Sequence, residues 1–154
     1  VEIGETKLAG AQAAGADELI DGGRGDIAKQ VLALTGGRGV ESVIDVVGAR
    51  ETLEASVIAL APAGRLVIVG VRPPAVFGDA SKFTLDATVV VRKGIEVRGS
   101  RYVTATEIAQ TLELLRQQRV RAIVDRTFPL DQAEHVHQLI RDNQLVGRVA
   151  LVVD

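Results

Sequence analysis

Three consecutive stretches decide the fold: residues 40–47 (VESVIDVV), 49–61 (ARETLEASVIALA) and 66–71 (LVIVGV). The first is short and rich in β-branched residues, and the third is a continuous apolar run. Both are typical of strands buried on both faces of a parallel sheet. The middle stretch carries an imperfect helical stripe of apolar residues, and Pro62-Ala63-Gly64 marks its end. Together they predict a strand–helix–strand unit, the signature of an α/β fold.

The same alternation continues on both sides of this unit. Upstream, the pattern predicts a helix over 5–14, a short strand over 18–20 and a helix over 26–34. Downstream, it predicts an irregular stretch over 72–82, a strand over 95–99, an amphipathic helix over 105–118, a last helix that begins at 128–131 with Asp131 as its cap, and a strand over 147–153.

A doubly wound fold usually begins with a strand, a glycine-rich turn and a helix. Here only Val1-Glu2-Ile3 precedes the first helix, and no glycine-rich turn is present before it. The predicted fold class is therefore α/β, a Rossmann-like doubly wound parallel sheet that lacks its first strand and its glycine-rich turn. The absence of methionine from the 154 residues also suggests a piece of a longer protein, and processing of the chain is the alternative explanation.

The composition excludes several classes of protein. With 47% hydrophobic and 25% charged residues, the chain resembles ordinary globular proteins and not disordered ones. A net charge of -2 argues against a nucleic-acid-binding surface. The lack of cysteine excludes disulfides and thiolate zinc sites within the chain. No apolar stretch approaches the roughly 18 residues of a membrane span, so no membrane partner is expected, and the lack of cysteine fits a cytoplasmic location.

Several stretches, in this order, resemble the cofactor domain and C-terminal end of medium-chain dehydrogenases of the zinc-type alcohol dehydrogenase family. They are residues 2–8 followed by 15–17, then 39–48, 64–71, 95–100 and 147–151. The resemblance implies a six-stranded Rossmann sheet that carries NAD, with NADP less favoured, and a separate N-terminal domain that holds zinc. The predicted domain is thus 1–154, a partial NAD(P)-binding domain with a C-terminal segment, and no catalytic or metal-binding residue is assigned within it.

Glu2 is the first predicted cofactor-binding residue. An acidic side chain at the end of the second strand of such a sheet accepts hydrogen bonds from the adenosine ribose and repels the extra phosphate of NADP. A solvated residue near a chain end is the alternative interpretation. The resemblance implies that Lys7 reaches the same ribose, although a lone lysine on a helix is usually just solvated.

The other predicted cofactor-binding residues follow strands. Ligands of open α/β sheets bind beyond the carboxyl ends of the strands, and glycine permits close approach of a ligand to the backbone. The resemblance implies contacts to the ribose, the nicotinamide carboxamide and the pyrophosphate from Val47, Gly48, Val69, Gly70, Val71, Ser100, Tyr102 and Arg148. Packing by Tyr102, a surface ion pair of Arg148 and simple strand-ending glycines are the alternatives.

Other polar residues are interpreted as structural. His135 and His137 do not share a helix face, so they form a poor metal site. Asp45, within an apolar strand, is interpreted as structural or as lying beside the cofactor. The basic cluster Arg116, Arg119 and Arg121 is interpreted as a solvated helix end.

Three functions fit the sequence. The first is the NAD(H)-binding part of an oxidoreductase that acts on an alcohol and carbonyl pair, with zinc only in the domain that this chain lacks. The second is a zinc-free quinone or enoyl reductase of the same superfamily, and the third is a non-catalytic interaction module. The resemblance implies a homodimer or homotetramer with an interface at the sheet edge at about 71–91, since an unprotected edge is a template for pairing.

Overall fold

The computed structural model describes residues 1–72, 78–142 and 144–153. It divides into two compact units: the first unit comprises Val1–Ile3 and Ile20–Tyr102, and the second unit comprises Gly4–Leu19 and Val103–Asp154. In chain order the elements are α1 (Glu5–Ala13), α2 (Ile27–Leu34), β1 (Val40–Asp45), α3 (Arg50–Ala59), β2 (Leu60–Ile68), α4 (Ala87–Lys93), β3 (Glu96–Gly99), α5 (Ala105–Arg116), β4 (Val124–Pro129), α6 (Ala133–Arg141) and β5 (Arg148–Val152).

The first unit is built on a parallel sheet with the strand order β1-β2-β3. Asp45 at the end of β1 pairs with Ile68 of β2, which in turn pairs with Gly99 of β3. All three strands therefore end at the same edge of the sheet. Leu53 of α3 packs with Leu60 and Leu66 of β2 in the buried core of this unit, which confirms the predicted strand–helix–strand unit.

The junction between α3 and β2 differs from the prediction. Pro62-Ala63-Gly64 was expected to follow the helix, but α3 ends at Ala59 and the three residues lie within β2. The pairing of β1 with β2 jumps from Val40–Leu60 to Ser42–Arg65. The extra residues of β2 are thus accommodated in an irregularity of the ladder, the kind of place where a strand tolerates proline.

The chain start forms less strand than its pattern predicted. Instead of a strand over 18–20, a single parallel bridge joins Glu2 to Asp21. The Glu2 amide donates to the Ile20 carbonyl at 3.0 Å, and the Gly22 amide donates to the Glu2 carbonyl at 2.8 Å. The parallel direction nevertheless agrees with the predicted topology.

In the second unit, β4 pairs with β5 in parallel and α1, α5 and α6 complete the unit. The prediction of a helix that begins at 128–131 was wrong, because Phe128 and Pro129 end β4 and a 3-10 turn, Leu130–Gln132, precedes α6. Asp131 therefore lies in that turn and does not cap the helix. Strand β4 itself was not predicted. In the described part of the chain, no helix has the length and apolarity to cross a membrane.

Candidate cofactor-binding edge

The loops that follow the three strands of the first unit begin side by side at one edge of its sheet. We call the residues Val46–Gly48, Val69–Val71 and Ser100 the carboxyl edge. The amides of Val69 and Gly70 both donate to the Asp45 carbonyl, at 2.8 and 3.0 Å, and the Ser100 amide donates to the Ile68 carbonyl at 2.9 Å. The structure thus brings together six of the predicted residues: Val47, Gly48, Val69, Gly70, Val71 and Ser100.

Two glycines allow the loops after β1 and β2 to touch through their backbones. A Cβ atom on Gly70 would lie 2.6 Å from the Val47 nitrogen, and one on Gly48 would lie 2.8 Å from the Val71 Cα. Gly48 also has a φ of +66°, which side chains disfavour. The sequence suggested glycine for close approach of a ligand, and the structure shows that the loops themselves already require it.

The Asp45 side chain anchors the first of these loops, Val46–Gly48, through hydrogen bonds from the backbone of the loop. The residue is only 5% exposed, and its Oδ1 accepts hydrogen bonds from the Val47 amide at 2.9 Å and the Gly48 amide at 2.7 Å. A buried carboxylate requires such donors, because burial without them is costly. Asp45 therefore organises the carboxyl edge with its side chain and with its carbonyl group.

The Ser81 hydroxyl also holds this loop, through a hydrogen bond to its backbone. Ser81 was not identified as a site residue from the sequence. Its hydroxyl donates to the Gly48 carbonyl at 2.7 Å, and its Oγ accepts from the Arg72 amide at 3.0 Å. Arg50 fixes the segment around Ser81, because its amide donates to the Ala80 carbonyl at 2.7 Å and its Nε to the Lys82 carbonyl at 2.8 Å. No local pattern reveals these contacts, since those of Ser81 with Gly48 and of Arg50 with Ala80 and Lys82 join residues at least 30 positions apart in the chain.

The surface of the carboxyl edge combines apolar side chains with backbone polar groups. Val46 and Val71 are 68% and 73% exposed, and Val47 and Val69 are exposed as well. Such a surface can pack against a flat organic ring while backbone groups form hydrogen bonds with the polar substituents of that ring. Among the described residues, no group of three or more His, Asp or Glu side chains could hold a metal ion.

The remaining predicted cofactor-binding residues, Glu2, Lys7, Tyr102 and Arg148, are not among the residues of the carboxyl edge. Glu2 is exposed and belongs to the bridge with Asp21 in the first unit. Tyr102 is 81% exposed, has a φ of +63° and has the Arg101 guanidinium 4.6 Å from its ring centre. Lys7, on α1, and Arg148, at the start of β5, belong to the second unit. Their contacts with a cofactor stay predictions.

The two histidines have local partners. The His135 ring meets the Phe128 ring edge-on, with 5.8 Å between the ring centres. His137 places its Nδ1 3.9 Å from a carboxylate oxygen of Glu134. Both arrangements agree with their interpretation as packing or surface residues.

Known proteins share this architecture. Residues 1–117 match the sequence profile described as zinc-binding dehydrogenase. An NAD-dependent alcohol dehydrogenase of Sulfurisphaera tokodaii is 27% identical over 99% of this chain, which spans 42% of the length of that relative. The crystal structure of an alcohol dehydrogenase from Aeropyrum pernix matches 98% of this chain, and 41% of its own, with a TM-score of 0.85 and 30% identity. A mycobacterial quinone oxidoreductase matches 99% of this chain with a TM-score of 0.73 and 25% identity, over 48% of its own length.

These similarities confirm the Rossmann-like α/β fold that the sequence predicted. The chain corresponds to less than half of the full length of these relatives. Because the family profile covers residues 1–117 of 154, well over half, the chain belongs to the zinc-binding dehydrogenase family of the medium-chain superfamily and corresponds to the cofactor-binding part of that family.

Proposed function

We propose that this chain binds NAD(H) in an alcohol dehydrogenase-like oxidoreductase that interconverts a small alcohol and its carbonyl partner. The observation that carries the proposal is the carboxyl edge, where the loops after β1 and β2 are in backbone contact and form one partly apolar surface. Parallel α/β sheets bind their ligands at this edge. The NAD-dependent activity in the name of the Sulfurisphaera relative supports the choice of cofactor.

In this proposal the chain holds the cofactor and does no bond chemistry itself. Backbone groups of the loops Val46–Gly48 and Val69–Val71, together with Ser100, meet the nicotinamide half. Glu2 accepts hydrogen bonds from the adenosine ribose and repels a 2′-phosphate, so that NAD is preferred to NADP. Lys7, Tyr102 and Arg148 are further proposed contacts. When bound, the nicotinamide supplies the hydride chemistry.

Zinc does not fit the described residues of this chain. They include no three-residue cluster of His, Asp or Glu, and the whole sequence contains no cysteine. We therefore assign no step of the reaction to zinc bound by these residues. In the proposed enzyme, any zinc would be held by a domain outside these 154 residues.

The proposal is tested by titrating the full-length protein with NADH and following the nicotinamide fluorescence. We expect a saturable change, and a weaker change with NADPH because of Glu2. A Glu2→Gln variant shows whether that preference comes from the predicted residue. Absence of binding at about millimolar NADH, well above ordinary dehydrogenase affinities, would contradict the proposal.

A zinc-free reductase of the same superfamily is the second candidate. It is favoured by the match to the mycobacterial quinone oxidoreductase and by a 2-haloacrylate reductase of a Burkholderia species that is 28% identical over 96% of this chain. Metal analysis of the purified full-length protein separates the two candidates. One tightly bound zinc per chain, with oxidation of an alcohol, favours the dehydrogenase, and reduction of a quinone without zinc favours the reductase.

A further inference from the structure

We propose that Asp45 is a positioning residue for the cofactor: its carboxylate sets the conformation of the loop Val46–Gly48 without touching the cofactor itself. This inference rests on the proposed function of the carboxyl edge. On this inference, the buried Asp45 side chain holds in place the backbone surface against which the nicotinamide half of the cofactor would lie.

The geometry at the end of β1 carries the first step. Asp45 is the last residue of β1, and its Oδ1 accepts from two successive amides of the following loop, those of Val47 and Gly48. Hydrogen bonds to an ionised acceptor are stronger than those between neutral groups. Since Asp45 is buried, with 5% of the residue exposed, water cannot readily replace its carboxylate as the partner of these amides.

The second loop is tied to the same residue. The Asp45 carbonyl accepts from the Val69 and Gly70 amides, so one residue connects both loops of the carboxyl edge to the sheet. The two loops also touch at Gly48 and Gly70, where no side chain would fit. A shift of the first loop would therefore displace the second.

Ser81 completes the support of the Gly48 residue. The Gly48 amide is held by Asp45, and the Gly48 carbonyl accepts from the Ser81 hydroxyl. If the carboxylate is removed, the loop keeps its contact with Ser81 but loses both amide contacts. We therefore expect a displaced loop on an intact sheet, and hence weaker cofactor binding without loss of the fold.

The experiment compares Asp45→Ala and Asp45→Asn with the unaltered full-length protein. We expect Asp45→Ala to weaken NADH binding by more than about tenfold and to raise the KM for NADH, with little change in the KM for the second substrate. Asp45→Asn keeps a neutral oxygen as acceptor and should restore most of the affinity, to within about threefold of the unaltered protein. Thermal unfolding, measured in parallel, corrects each affinity for the folded fraction.

Asp86→Ala is the matched control. Asp86 also accepts from a backbone amide of the first unit, that of Thr88 at 2.7 Å, but it caps α4 and has no hydrogen bond to the carboxyl edge. We expect this variant to lose some stability and to keep its NADH affinity. Equal losses of affinity in Asp45→Ala and Asp86→Ala would show a merely structural role and overturn the inference.

Amide hydrogen exchange gives a readout that does not depend on the cofactor. In folded Asp45→Ala the Val47 and Gly48 amides should exchange much faster, and in Asp45→Asn, whose neutral oxygen is a weaker acceptor, they should exchange slightly faster, while amides of the β1–β2 ladder keep their protection. Unchanged exchange at both amides in every variant that folds overturns the inference. If the unaltered protein binds no NADH, the proposed function fails together with the inference; if it binds NADH and folded Asp45→Ala binds equally well, only the inference fails.

Discussion

Gly48 and Gly70 lie so close together at the ends of β1 and β2 that a Cβ atom on Gly48 would come within 2.6 Å of the Gly70 carbonyl carbon. Real side-chain atoms do not approach backbone this closely, so each position admits only glycine without a shift of the loops. The contact makes two loops, from strands separated by α3, into one surface. It is the structural basis of the proposed cofactor-binding edge.

Replacing Gly48 by alanine tests this contact. We expect Gly48→Ala to destabilise the protein by about 2–3 kcal/mol, because the new methyl group adds a clash to the cost of a positive φ. Gly94→Ala is the matched control: Gly94 has a φ of +60°, and its Cβ would meet nothing within 4 Å. It should cost only about 1 kcal/mol. Denaturant unfolding measures both, and equal losses would show that the clash contributes nothing.

Lys93 stabilises the end of α3. Its Nζ donates to the Ile58 carbonyl at 2.8 Å and to the Leu60 carbonyl at 2.7 Å, where the helix leaves carbonyl groups without helical partners. We expect Lys93→Met, which keeps most of the side chain, to cost about 1–2 kcal/mol in the free energy of unfolding. Lys29→Met should cost less than about 0.5 kcal/mol, because that lysine makes only an exposed 3.6 Å ion pair with Asp26. A smaller loss for Lys93→Met than for Lys29→Met would contradict the capping role.

The start of α5 carries a capping box. The Thr104 hydroxyl accepts from the Glu107 amide at 3.2 Å, and the Glu107 carboxylate accepts from the Thr104 amide at 2.7 Å. We expect Thr104→Ala to cost about 1 kcal/mol of stability. The loss is measured by urea unfolding of the full-length protein or, if its transitions overlap, by hydrogen exchange of the α5 amides.

The capping box also makes the stability of the protein depend on pH, in a direction that follows from the pKa of Glu107. The hydrogen bond from the Thr104 amide lowers the pKa of Glu107 below its ordinary value of 4.5. The contribution of this carboxylate to stability is therefore present above about pH 4.5 and is lost as the pH falls through the lowered pKa. The stability difference between the unaltered protein and Glu107→Gln should shrink in that acidic range. A difference that stays constant from pH 7 to pH 3 would contradict this assignment.

Glu2 is predicted to set the preference for NAD over NADP. Removing its charge in Glu2→Gln should shift the ratio of NADPH to NADH affinity towards NADPH by about tenfold, because the repulsion of the 2′-phosphate is lost. Glu51→Gln, at the start of α3, removes an acidic charge of the same unit and should leave the ratio unchanged. Both affinities come from fluorescence titrations. An unaltered ratio in Glu2→Gln would remove Glu2 from the proposed cofactor site.

The predicted interface between copies of the chain spans about 71–91, of which 73–77 lie outside the described residues. Within the rest of this range, Val71 and Val91 are 73% and 79% exposed. We expect light scattering of the full-length protein at micromolar concentration to give a dimer or tetramer, and Val91→Arg to lower that mass. Ile108→Arg changes an exposed apolar residue of α5 and should not. A mass of one chain for the unaltered protein would contradict the prediction.

Local pattern was sufficient to predict that β1, α3 and β2 exist, and Leu53, Leu60 and Leu66 of α3 and β2 pack together in the core. The expectation that residues 40–47 are buried on both faces of the sheet was wrong, because Ile44 of β1 is 68% exposed. Local pattern did not predict the conformation of two short segments whose structure depends on tertiary contacts. Pro62-Ala63-Gly64 lies within β2 and not after the helix, and Leu130–Gln132 forms a turn before α6.

The sequence by itself determined the parallel α/β architecture and the positions of the glycines after β1 and β2. Hydrophobic periodicity and the occurrence of glycine at strand ends can both be read from short stretches of sequence. Only the tertiary structure decided that Gly48 and Gly70 touch and that Asp45 and Ser81 hold the Gly48 residue between them. The Gly48–Gly70 and Gly48–Ser81 contacts join residues 20 or more positions apart in the chain, whereas Asp45 and Gly48 are close in sequence. Hydrogen bonds of this kind depend on the register of the strands and the path of the loops, which no short stretch of sequence specifies.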